Sequence, residues 1–243
     1  MENIFEKAFN RNRNGIYKRG GRQLNELNSL LDNSLPEYVI YYSQAQKYYE
    51  IGNLNDAFNN INKAIELSDV DDWKQYAFKA NVLEEAKHYE DAIKNYEIAI
   101  DINPNDVYVY ALYHQIGWCY LNLKDDEKAV EFYTYAINLK KQHPNSEYNE
   151  DLEGIDNGVL LGKKFEQMYI NRGNSLKNIG KLEDARQDCI SAIKCNEQYS
   201  NPYLLLSQIF DLAGHKEESM KFLKHASDMG NQNATRIFNN GGF

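Results

Sequence analysis

The chain of 243 residues is 42% hydrophobic and 26% charged, carries 19 tyrosines and has a formal net charge of −9. This composition excludes a disordered chain, the length suffices to bury about 70–75% of the unfolded surface, and no apolar run approaches the ~18 residues that span a bilayer. An acidic balance argues against nucleic acid and anionic membrane as partners. The opening residues lack the apolar core of a secretory signal, because Glu6, Lys7 and Asn10 interrupt it. Cys119, Cys189 and Cys195 are odd in number and show no framework spacing. These features predict reduced thiols and a cytoplasmic location.

Charge is unevenly placed: residues 1–31 hold six Lys/Arg against three Asp/Glu. Leu24, Leu27, Leu30 and Leu31 come next at helical spacing. Residues 1–35 therefore read as a basic arm and an amphipathic helix capping the open end of the remaining fold; the arm is also a candidate contact for an acidic partner or a neighbouring subunit. Ser34-Leu35-Pro36-Glu37 has the form of a capping box and predicts a helix start. Beyond it lie pairs of amphipathic segments hinged at Ile51-Gly52-Asn53, Ala86-Lys87-His88, Leu123-Lys124-Asp125, Ile179-Gly180-Lys181 and Ala213-Gly214-His215. No stretch alternates convincingly as a strand, so the fold class is all-α.

Aligned on these turns, Tyr41, Tyr76, Tyr113, Tyr169 and Tyr203 recur at separations of 35, 37, 56 and 34, and Ala64, Ala99, Ala136, Ala192 and Ala226 recur in step. Small residues follow each tyrosine by four (Ala45, Ala80, Gly117, Gly173, Ser207) and by sixteen (Ala57, Ala92, Ala129, Ala185, Ser219). Small side chains let two helices approach closely while large ones fill the space around them. Cys189 occupies a large-residue position, where Ile61, Tyr96, Tyr133 and Leu223 stand in the other units, and reads as core filler.

The 56-residue step holds an insertion at about 143–164, acidic at first and ending in Gly158-Val159-Leu160-Leu161-Gly162. Its apolar tail could begin the next helix early or pack against the groove; a plain surface loop is the simplest reading. Gly158 to Lys164 superficially has the look of a phosphate loop, yet it has one residue too few between its glycines and Lys where Ser or Thr belongs. Asn231 can cap a short last helix at about 231–239 through Ala234, Ile237 and Phe238.

The spacing of aromatic, small and large positions resembles the tetratricopeptide repeat, over five units within residues 36–243. That resemblance implies an α-solenoid, a right-handed superhelix of helix-turn-helix units, in which first helices line a concave groove. It also implies a noncatalytic module that binds a protein or peptide. No signal for chemistry competes: the histidines and cysteines form no metal-binding spacing, and neither a cofactor nor a metal is predicted.

Five residues after each landmark tyrosine stand Gln46, Asn81, Trp118, Asn174 and Gln208. A ladder of amides can donate to and accept from an extended backbone, and an indole supplies an apolar anchor; common Asn and Gln on solvated helix faces are the plain alternative. Tyr42, Tyr49, Glu84, His114, Asn171 and Lys177 are neighbouring groove candidates. Asn171 matches the middle asparagine of the clamp with which some members of the family hold chaperone C-terminal carboxylates, but the flanking units offer no cations in the partner positions, which argues against that ligand. A self-assembling scaffold joined through the basic arm is the alternative function. RNA binding is disfavoured by the acidic body.

Overall fold

The structure, a computed structural model, describes residues 35–106, 108–142, 155–156, 159–160 and 165–243. All but Leu35 of the basic arm and helix read over residues 1–35, and most of the insertion at 143–164, lie outside the described residues. Eleven helices are seen among the described residues: α1 (Glu37–Glu50), α2 (Leu54–Leu67), α3 (Trp73–Glu85), α4 (Tyr89–Ile102), α5 (Val109–Asn122), α6 (Asp126–Gln142), α7 (Phe165–Asn178), α8 (Leu182–Cys195), α9 (Asn201–Leu212), α10 (Lys216–Asp228) and α11 (Gln232–Asn239). Between α6 and α7 lies one two-residue strand pair, β1 (Ile155–Asp156) and β2 (Val159–Leu160). The molecule is an α-solenoid of antiparallel helix pairs, each packed on its sequence neighbours.

Helix starts follow local chemistry with one correction. Pro36 occupies the N-cap of α1 without a side-chain cap bond, so the helix begins two residues later than a box anchored on Ser34 predicts. The reason is steric: Leu35 precedes a proline and is disfavoured in the helical region. Asn53 caps α2 by accepting from Asp56 N, and Asp72 caps α3 by accepting from Lys74 N. At the far end Asn231 caps α11, its Oδ1 accepting from Ala234 N at 3.0 Å.

Within every pair the turn is the same Schellman motif. In the first, Gly52 N donates to Tyr49 O and Asn53 N to Tyr48 O, both at 2.9 Å. The central residue of each turn has positive φ: Gly52 (77°), Lys87 (65°), Lys124 (66°), Gly180 (80°) and Gly214 (82°).

All fifteen small positions are buried, from Ala45 and Ala57 to Ser219 and Ala226. The large positions of the second helices, Ile61, Tyr96, Tyr133, Cys189 and Leu223, are fully enclosed. One core runs from α1 to α5 around Phe78 and Tyr96, and a second from α5 to α9 around Met168 and Cys189. Leu223, Ala226 and Ala234 form a third, with Ile237 and Phe238 of α11 packed on it.

The insertion leaves the stacking intact. Arg172 of α7 donates through Nε and Nη2 to Asp188 of α8 at 2.9 and 2.7 Å, and through Nη1 to Thr134 Oγ1 of α6 at 3.1 Å. The bidentate pair holds α7 to α8, and the bond to Thr134 ties this fourth helix pair to the third. The strands pair antiparallel with Ile155 opposite Leu160, and β2 lies against α3. Val159–Leu160 of the apolar tail form a strand and α7 runs from Phe165; residues 157–158 and 161–164 lie outside the described residues. A two-residue ladder is too short to register as alternation in sequence.

Candidate functional site

The first helices α3, α5, α7 and α9 contribute to one open cavity of about 550 Å³, within the range of ligand sites. Helix geometry explains which residues reach it. Side chains one and four positions further share a stripe, so the cavity draws on positions one, two and five after the landmark tyrosine. Position one supplies His114, Ile170 and Leu204; position two Gln115, Asn171 and Leu205; position five Trp118, Asn174 and Gln208. Glu84 and Glu85, at the end of α3, border one end, while Gln167, Tyr199 and Asn201 complete the wall.

A directed set of hydrogen bonds underlies this surface. The Asn171 side-chain nitrogen can only donate, so at 2.9 Å it fixes His114 Nε2 as acceptor. The ring proton then sits on Nδ1, 3.2 Å from Gln115 Oε1, and donates to it. Gln115 Nε2 donates in turn to Glu84 Oε2 at 3.1 Å. The Tyr96 hydroxyl donates to the same carboxylate oxygen at 2.7 Å and lies 2.6 Å from Asn81 Oδ1. Four first- and second-helix elements are thereby locked together beneath the groove. Trp118, 39% exposed, stands out from this floor.

Six of the eleven residues anticipated for the groove meet in the cavity: Glu84, His114, Trp118, Asn171, Asn174 and Gln208. Asn81 instead is buried beneath it at 3% exposure, beside the Tyr96 hydroxyl. A complete ladder at position five is therefore interrupted. Asn174 also gives its Nδ2 to Ile170 O of its own helix at 3.0 Å. Lys177 lies outside the cavity wall and donates to Gln208 Oε1 at 2.8 Å; burial pushes its ammonium pKa down. Tyr42 and Tyr49 grip Phe78 edge-on, with ring centroids 5.6 and 5.5 Å away. Tyr49 also lines a second hollow of about 370 Å³ with Glu50, Gly52, Leu54 and Glu85. Gln46, half-buried on α1, borders neither space.

Among the described residues no group of three His, Cys, Asp or Glu is placed to hold a metal ion. No helix among them is long and apolar enough to cross a membrane.

The tetratricopeptide repeat family matches residues 76–106 and 110–143. Over 98 residues the chain is 33% identical to the Hsp70-Hsp90 organising protein of Plasmodium falciparum (isolate 3D7); the match takes in 40% of this chain and 15% of that protein. Among solved structures, that of pilF from Pseudomonas aeruginosa superposes with a TM-score of 0.66 at 13% identity, covering 90% of each chain. YrrB, described as a TPR protein with an unusual peptide-binding site, gives 0.60 at 17% identity over 86% of this chain and 95% of that one. MamA from Desulfovibrio magneticus RS-1 gives 0.63 at 11% identity over 79% and 94%. These structural likenesses bear on the fold alone. The family model thus accounts for residues 76–106 and 110–143, and the other helix pairs repeat the same packing.

Proposed function

We propose that the chain binds an extended peptide or protein segment in the groove over α5, α7 and α9. The observation that carries this reading is the convergence of side chains from successive first helices on one cavity, with a half-exposed indole above a hydrogen-bonded floor. Exposed amides suit peptide backbone, and a tryptophan at the centre of an interface commonly dominates its energetics.

The name of the Plasmodium relative raises chaperones as partners. A C-terminal carboxylate needs cations to replace its water, and the described lining residues include no Lys or Arg. Asn171, which would serve such a clamp, directs its amide to His114. The groove therefore favours an internal segment over a carboxylate terminus.

Replacing Trp118 and Asn174 together by alanine tests this reading. Loss of one hot-spot tryptophan costs about 2 kcal/mol or more, so quantitative affinity capture from lysate should show partner retention falling more than tenfold at unchanged helicity. Unaltered retention would remove the groove from consideration. The charge contrast between residues 1–31 and the acidic remainder favours a second reading, self-assembly through the basic arm. Truncation of residues 1–22 that leaves the solution mass unchanged argues against it.

A further inference from the structure

We infer that the basic arm of a neighbouring copy, residues 1–22, docks on a run of aromatic rings shared by α5 and α6, its arginines lying on the rings and pairing with the carboxylates around them. This rests on the reading of self-assembly through the arm. The run is Tyr120, Phe132 and Tyr113: the first two rings stack with centroids 5.3 Å apart, and Phe132 and Tyr113 stack at 6.1 Å. Tyr135 lies beside them, 5.8 Å from Tyr113 and 6.2 Å from Phe132, and is 50% exposed. None of the four lines the groove cavity.

Comparison between units separates scaffold from surface. In the fifth unit Phe210 and Phe222 hold the positions of Tyr120 and Phe132 and stack at 5.3 Å, so that pair serves packing within the helix pair. Tyr135 is different. Its position, twenty-two residues after the landmark tyrosine, is held elsewhere by Lys63, Ile98, Ser191 and His225. Packing of the repeat does not call for a half-exposed ring there, and a contiguous exposed aromatic face marks an interaction surface.

Charge around the run selects the occupant. Lys128 Nζ lies 4.9 Å from the Tyr120 centroid and 3.4 Å from an Asp125 carboxylate oxygen, so one end already holds a cation between ring and carboxylate. Among the described residues no lysine or arginine lies over Tyr113 or Tyr135 at the other end. Burial first, then Tyr135 and Asp101, raise the Tyr113 hydroxyl pKa. Burial also raises that of Tyr120; Lys128 opposes it, and Glu97, Asp125 and Glu131 add to it. Glu97 and Asp101 stand one turn apart on α4, and both are exposed, as is Glu131. The arm carries the complement, with Lys7, Arg11, Arg13, Lys18, Arg19 and Arg22 against Glu2 and Glu6. A guanidinium plane stacks on an aromatic face while its N–H fork reaches a carboxylate.

Sedimentation velocity of the full chain over a concentration series tests the inference. The chain should associate as its concentration rises, and less so as salt rises. Tyr135→Ala and Asp101→Lys, both at exposed positions, should each raise the dissociation constant of the assembly about tenfold at unchanged helicity, while Tyr135→Phe, which keeps the ring, should change it less than twofold. A peptide of residues 1–22 in excess should dissociate the wild-type assembly, and the same peptide with its four arginines replaced by serine should not. Association that ignores both Tyr135→Ala and Asp101→Lys overturns the docking surface and leaves self-assembly in place. Association that falls with Tyr135→Ala yet resists the peptide overturns the arm as occupant. A wild-type chain that sediments as a monomer at every concentration overturns both the inference and the reading beneath it.

Discussion

At Gly117 the backbone of α5 lies against the Tyr133 ring of α6, and an added Cβ would stand 2.8 Å from Cδ1 and 2.9 Å from Cε1. Two effects oppose each other on substitution by alanine. Helix propensity favours alanine by about 1 kcal/mol, while overpacking against an enclosed ring costs about 1–3 kcal/mol. The ring is fully enclosed, so Gly117→Ala should destabilise by up to about 2 kcal/mol in a urea melt, and Tyr133→Leu in that background should restore part of the loss. Gly173 offers the contrast: its nearest neighbour is the flexible end of Leu205 at 3.1 Å, and Gly173→Ala should be near neutral. The small and large positions were legible because steric demand repeats with the period. The site was legible in part. Position five pointed to Trp118, Asn174 and Gln208, yet the same logic sent Asn81 to the groove, where Tyr96 draws it under the floor. Gln115 and Leu205 were missed although they stand at the offset of Asn171; grouping offsets by helical stripe would have found them.

Among the elements, the turns within pairs use one geometry for two residue types. A left-handed conformation costs a residue with a Cβ about 1–2 kcal/mol and glycine almost nothing. Lys87 and Lys124 bear that strain, while Gly52, Gly180 and Gly214 do not. Lys87→Gly and Lys124→Gly should each raise stability by about 1 kcal/mol, less the added entropy of the unfolded chain. Because they lie in different pairs, the gains should add, read as successive increases in urea midpoint; lower midpoints would mean that the lysine side chains hold the turns. The polar triplets marked these turns from sequence. The β1–β2 pair was invisible there, since its partner α3 is remote in the chain and local pattern carries no trace of a distant contact.

For the whole molecule, buried acidic protons govern behaviour in alkali. Burial pushes the Cys189 thiol up to about 12 and the Cys119 thiol still higher, and holds Tyr49 and Tyr110 at about 12. For each, the native state keeps its proton after the unfolded chain has lost it. The stability is fully present below the unfolded value, near 9 for thiols and 10 for tyrosines, and falls as pH rises toward the folded value, by up to about 1.4 kcal/mol per pH unit per group. Lys140 opposes this: burial lowers its pKa to about 8, so it adds stability between about 8 and its ordinary value of 10.5. One lysine is outnumbered above pH 10. Chemical denaturation as a function of pH should show near-constant stability to about pH 9 and a steep fall beyond 10, with Cys189→Val lessening the slope; a flat profile would contradict the assigned burial.

Sequence alone determined the all-α repeat architecture, the turn positions and the fifteen small contacts, because each depends on spacings within one or two helices. Tertiary structure decided which polar side chains face the groove and which serve its floor. Asn81, His114 and Asn171 look equally polar in sequence, and their roles follow from neighbours 15 and 57 residues away. Stacking alone likewise brings Glu84 and Glu85 to the same cavity as Trp118, joining charge and aromatic surface that no local pattern connects.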